Sequence, residues 1–129
     1  MREEALLWLK QARRDLRKAL NDLKTEDWDS AAFWSQQASE KALKALLIAH
    51  GKMHRTHNLL ELGEIVKQEL KLDVDEVWED LRELTIHYTV SRYPNAANAL
   101  PSQLYDESKA KDLIGRAEKI LGWVERNLR

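Results

Sequence analysis

The feature that most constrains this chain is a spacing: apolar residues return at steps of three and four along nearly its whole length. Ala5, Trp8, Leu9, Ala12, Leu16, Ala19, Leu20 and Leu23 form the first such series, and Ala31, Trp34, Ala38, Ala42, Ala45, Leu46 and Ala49 the second. That period places one apolar stripe on an α-helix, and no stretch alternates as a strand would. Gly51 sits where a left-handed cap would end the second helix near His50. A shorter helix is expected from His57 to about Glu69 with Thr56 as its N-cap, and another from Asp73 or Asp75 through Val77, Leu81, Leu84, Thr85 and Tyr88. A last helix starts around Asp106 and carries Ala110, Leu113, Ile114, Ala117, Ile120, Leu121, Val124 and Leu128. The second stripe is rich in alanine, which lets a neighbouring helix come close.

Between the last two helices lies SRYPNAANALPSQLY, residues 91–105, which holds both prolines. A connection of that length in a small domain is either functional or mobile. Each proline disfavours helical geometry in the residue before it, so the helix should stop and the chain should cross the bundle extended.

Length and composition narrow the function classes. The 129 residues make one domain, expected to span 1–129, and 43% hydrophobic with 33% charged residues suits a folded soluble chain. The absence of cysteine removes disulfide frameworks and thiolate metal sites, and cytoplasm is the expected location. Charges interrupt the apolar spacing of MREEALLWLKQARRDLRK, so neither a signal peptide nor a membrane span is expected. A net charge of −1 lacks the basic excess usual in nucleic-acid-binding domains. The charge is unevenly spread, however: residues 1–24 hold seven Lys/Arg against four Asp/Glu, and residues 72–90 hold six acids against Arg82 alone. One surface could be basic and another acidic.

Four segments together resemble one family: EALLWLKQARRDLRKAL in the first helix, WDSAAFWSQQASEKALKALLIAHGK in the second, THNLLEL opening the third, and HYTVSRYPNA closing the fourth. They are similar to the HEPN domains, the higher-eukaryote and prokaryote nucleotide-binding family, of the type with an RYP loop. The resemblance implies an all-α fold, an up-and-down antiparallel four-helix bundle with an additional short helix. It also implies a homodimer and a nucleotide-binding role beside a minimal nucleotidyltransferase, in a two-component module like a toxin–antitoxin pair. Some relatives are metal-independent ribonucleases marked by an Arg, four to six residues, and a His, a spacing that Arg82 and His87 satisfy. Here Glu83 follows the arginine where a polar Asn is usual, Tyr88 follows the histidine directly, and RYP-bearing relatives often have Tyr in place of His87. Little or no cleavage by the protein alone is therefore expected.

Chemically, His87 could move a proton at a ribose 2′-hydroxyl or leaving oxygen while Arg82 stabilised phosphorane charge. Five residues apart on a straight helix, however, the two point about 140° from each other, so a dimer or a helix break must bring them together. Otherwise Arg82 pairs with Glu79 or Asp80 and His87 is a partly buried ring. Arg92 could grip a phosphate and Tyr93 stack on a base, with Tyr88 part of the same ligand-binding cluster. Equally, Arg92 could satisfy the last carbonyls of the fourth helix, with Tyr93 packed under the loop.

His50, His54 and His57 have ligand-like spacing, but Gly51 breaks the helix that would align them, so no metal and no cofactor is expected; His57 is expected to orient the third helix by hydrogen bonding. Glu40 and Lys44 read as a charge pair on a solvated helix face. Arg13, Arg14, Arg17 and Lys18 could follow a phosphate backbone or simply face water. Trp8, Trp34, Trp78 and Trp123 read as core or interface anchors, Trp28 is expected to precede the second helix and could staple it, and five tryptophans are more than one small bundle easily buries. Three functions stay open: a nucleotide-binding module, an endoribonuclease, and a purely structural dimeric partner.

Overall fold

The amphipathic spacing forms helices where it runs longest. In the computed structural model, which describes residues 2–128, α1 spans Glu3–Lys24 and α2 spans Trp28–Ala49, joined by a turn in which Glu26 adopts positive φ. They are followed by α3 (Leu59–Leu70), α4 (Asp75–Thr85), a 3₁₀ turn (Ile86–Tyr88), α5 (Pro94–Ala97), a second 3₁₀ turn (Pro101–Leu104) and α6 (Glu107–Asn127). No strand occurs among the described residues. The long helices α1, α2 and α6 pack on one another, α4 closes the bundle against α6 and α2, and the short α3 packs on α2 and α4.

The alanine stripes do what their size allows. Ala5, Ala12 and Ala19 of α1 and Ala31, Ala38, Ala42 and Ala45 of α2 are all fully buried, which brings the two backbones close. Gly63 serves α3 likewise: a Cβ there would lie 2.8 Å from Leu81 of α4 and 3.0 Å from the Trp78 ring. Around these contacts Leu43, Leu46, Leu47, Leu59, Leu62, Leu81, Leu84 and Ile120 fill the core. Gly51, at φ 77°, ends α2 in the left-handed geometry its position suggests.

Several boundaries differ from the sequence reading. The N-cap of α3 is Asn58, not Thr56: its side-chain oxygen accepts from the backbone N–H groups of Leu60 and Glu61. Thr56 instead accepts from the Asn58 N–H and donates to Glu61. Trp28 begins α2 rather than preceding it. The fourth helix stops at Thr85 and tightens into the 3₁₀ turn that carries His87 and Tyr88. The 91–105 connection does not cross the bundle extended. Tyr93 and Leu100 are extended, as residues before proline should be, but each proline then opens a short helical turn, its fixed φ suiting a first helical position.

The largest correction concerns charge. Glu40 and Lys44 do not lie on a solvated face; they are 3% and 7% exposed and paired at 3.0 Å. Asp15 of α1 is likewise fully buried and accepts from Gln11 and from Lys41 across the α1–α2 interface. Glu40 and Asp15 both have each oxygen hydrogen-bonded, the condition under which a charge tolerates a low-dielectric site.

Candidate functional site

Arg82 and His87, expected to point apart on a straight helix, stay apart even though the helix tightens into a 3₁₀ turn between them. Arg82 is on the outer face of α4, its side chain 58% exposed, with Glu83 at 3.9 Å as its ion-pair partner. The expected partner Asp80 is instead buried against α6, where Arg116 and Lys119 approach it at 3.1 and 3.3 Å. His87, beyond the tightening of the chain at Ile86, turns inward and is 3% exposed. Its Nδ1 lies 2.6 Å from the Tyr105 hydroxyl.

Burial, with Lys109 adding to it, pushes the His87 ring down to about 4, and a hydrogen bond to the Glu83 backbone carbonyl only partly opposes this. Burial likewise raises Tyr105 above its ordinary value, so a neutral phenol and a neutral ring share this hydrogen bond. His87 is thus a neutral ring locked between two partners. Ser91 completes the lock by donating to the His87 carbonyl at 2.6 Å. Within one chain, Arg82 and His87 present no common surface.

The ligand-binding candidates behave differently. The Arg92 Nε donates to the Tyr88 carbonyl at 2.9 Å, satisfying the chain end that α4 leaves open. Its guanidinium carbon lies 4.4 Å from the centre of the Phe33 ring, 4.6 Å from Tyr88 and 4.9 Å from Tyr93. Three aromatic faces therefore fix one exposed cation. Tyr88 also stacks on His57, with centres 4.0 Å apart and planes 12° from parallel. Arg92 therefore caps one carbonyl, that of Tyr88, while its guanidinium lies among the aromatic rings at the surface.

His57 is tied down from the other side. Its Nδ1 donates to Glu40 at 3.0 Å, and its carbonyl accepts from Gln36, so the segment before α3 is fastened to α2 as the sequence reading expected. The ring itself stays open, its side chain 53% exposed. With Asn58, Thr85, Ile86, Tyr88 and Thr89 it lines a shallow cleft of about 290 Å³. The other two histidines of the 50–57 series are engaged separately, His50 with the Leu46 carbonyl and His54 with Glu69, and among the described residues the three do not gather around one point.

This helical architecture agrees with the comparisons. The HEPN domain family model matches residues 5–127. The chain belongs to the HEPN domain family. The protein named "Putative toxin MJ1304" of Methanocaldococcus jannaschii is 30% identical over 128 residues, covering 91% of this chain and 83% of that protein. Among solved structures, TT1696 from Thermus thermophilus aligns with a TM-score of 0.90 at 34% identity, over 98% of this chain and 99% of the other. ST0689, an archaeal HEPN homologue, aligns with a TM-score of 0.80 at 32% identity over the full length of both.

Three members of this HEPN site escaped the sequence reading. Phe33 sits among alanines outside the apolar stripe of the second helix; Glu40 reads as surface; Asn58 is hidden behind the apparent cap Thr56. A signal existed for Glu40: with Gln36 and Lys44 it sets three polar residues at steps of four, along one face of α2. No local signal pointed to Phe33, which meets Arg92 only through the fold.

Proposed function

We propose that this HEPN chain is a nucleotide-binding module that acts with a minimal nucleotidyltransferase in a two-component system of the toxin–antitoxin kind, as a homodimer in the cytoplasm. The observation that carries the binding reading is the Arg92 guanidinium, held by Phe33, Tyr88 and Tyr93 while no carboxylate pairs with it among the described residues. A cation ordered in advance can offer a phosphate two hydrogen bonds without the entropy loss of fixing a flexible arm. The half-exposed Tyr93 adds a face on which a base can stack.

Two further observations support the assembly. The similarity to a protein named as a toxin fits a two-component role. Leu7 and the partly buried Trp8 line an apolar hollow near the start of α1 that a second copy would cover. The ribonuclease reading through Arg82 and His87 draws no support from the geometry of one chain, because a dimer would have to unlock a buried neutral ring before using it.

Calorimetric titration with ATP and other nucleotides tests the binding reading. Wild type should bind, and Arg92→Ala should weaken binding by about tenfold, the scale of one charge-assisted contact. Light scattering on the same samples should give a mass near twice 15.1 kDa. If no nucleotide binds while the dimer persists, the chain is a structural partner instead.

A further inference from the structure

Nucleotide binding at Arg92 leaves the chemistry of the adjoining cleft unused, and that chemistry is specific. Glu40 is buried, with Lys44 at one oxygen and His57 at the other, so its carboxylate accepts from Nδ1–H. A neutral His57 ring with its proton on Nδ1 has a lone pair on Nε2, on the opposite edge. Nε2 has no partner among the described residues, and the ring borders the cleft. Asn58, its neighbour on the same cleft, has the reverse character. Its side-chain oxygen is consumed by the N-cap of α3, which leaves its amide N–H groups as donors without a partner among the described residues.

An acceptor beside a donor fits a hydroxyl, which can donate to one and accept from the other. A phosphate oxygen can satisfy only the second, and a base edge, which could satisfy both, is the part of the nucleotide already assigned to Tyr93. His57 and Arg92 both lie against the Tyr88 ring, 4.0 and 4.6 Å from its centre, so a phosphate at Arg92 stays within the span of one nucleotide from this pair.

We propose that His57 and Asn58 form a ribose-hydroxyl subsite, so that the module selects ribonucleotides over their deoxy counterparts, with Glu40 as the residue that positions His57. The inference rests on the nucleotide-binding reading and adds the sugar to it. A 2′-hydroxyl is both donor and acceptor, and it is the group by which a protein distinguishes ribose from deoxyribose.

The test is calorimetric titration with ATP, 2′-deoxy-ATP and 3′-deoxy-ATP on wild type, His57→Phe and Asn58→Asp. His57→Phe keeps a ring on Tyr88 and removes the acceptor; Asn58→Asp keeps the cap and removes the donor, and the ratio of affinities cancels its added charge. Wild type should bind ATP about tenfold more tightly than one of the deoxy analogues, the scale of one or two hydrogen bonds. Both variants should bind ATP and that analogue about equally. Equal affinity of wild type for all three nucleotides overturns the subsite while leaving Arg92 binding intact; so does a preference that survives both substitutions. Binding of none overturns both readings. Should His57→Phe fail to fold, the ratio in Asn58→Asp decides.

Discussion

The two histidines at the end of the bundle teach the most when set side by side. His87 is buried, tied through Nδ1 to Tyr105, and kept neutral by its surroundings. His57 is fastened at one nitrogen to a buried carboxylate and leaves the other at a cleft. Motif spacing favoured the first; the open edge belongs to the second. A histidine's chemistry is decided by which nitrogen remains free, and its position in the sequence does not carry that information.

The sharpest way to break the contrast is to remove the buried ring. His87→Ala should destabilise the fold by about 3 to 4 kcal/mol, since it opens a cavity and leaves the Tyr105 hydroxyl buried without its hydrogen-bond partner. Denaturant unfolding at neutral pH measures it. A loss under about 1 kcal/mol, on the same scale, would show that the lock is not structural.

Acid should act on the same residue. The folded state holds His87 at about 4, below its ordinary 6.5, so the unfolded chain takes up the proton first. Its contribution is complete above 6.5 and is lost as pH falls from there through about 4, on the order of 3 kcal/mol in all. Subtracting the pH profile of His87→Gln from that of wild type isolates this share from the carboxylates, and a flat difference would refute it.

The smallest effect should come from the exposed arginine of the same motif. Arg82→Ala should change stability by less than about 0.5 kcal/mol, because its ion pair with Glu83 is loose and solvated. Circular dichroism melts would detect a larger loss, which would place Arg82 in a contact that a single chain does not make.

Much of the architecture was legible from spacing alone. The stripes of α1, α2 and α6 run for five or six turns, and over that length periodicity outweighs local exceptions. The ends were less legible. Thr56 and Asn58 are both good caps two residues apart, and only the hydrogen bonds show which one closes the helix. The loop failed for a related reason: proline forbids helix in the residue before it but favours helix at the residue it occupies, and the reading gave weight to the first effect only.

By itself the sequence determined that this chain is helical, where its long helices lie, and, through four segments taken together, which family it resembles. These are properties of neighbouring residues, and three- and four-residue spacings record them. Only the tertiary structure decided that Glu40 and Asp15 are buried, that His87 turns inward to Tyr105, and that Phe33 of α2 meets Arg92 of the distant loop. Burial and convergence depend on which faces of separate helices meet. A polar residue four positions from another looks the same on a wet face as on a dry one until a second helix excludes the water.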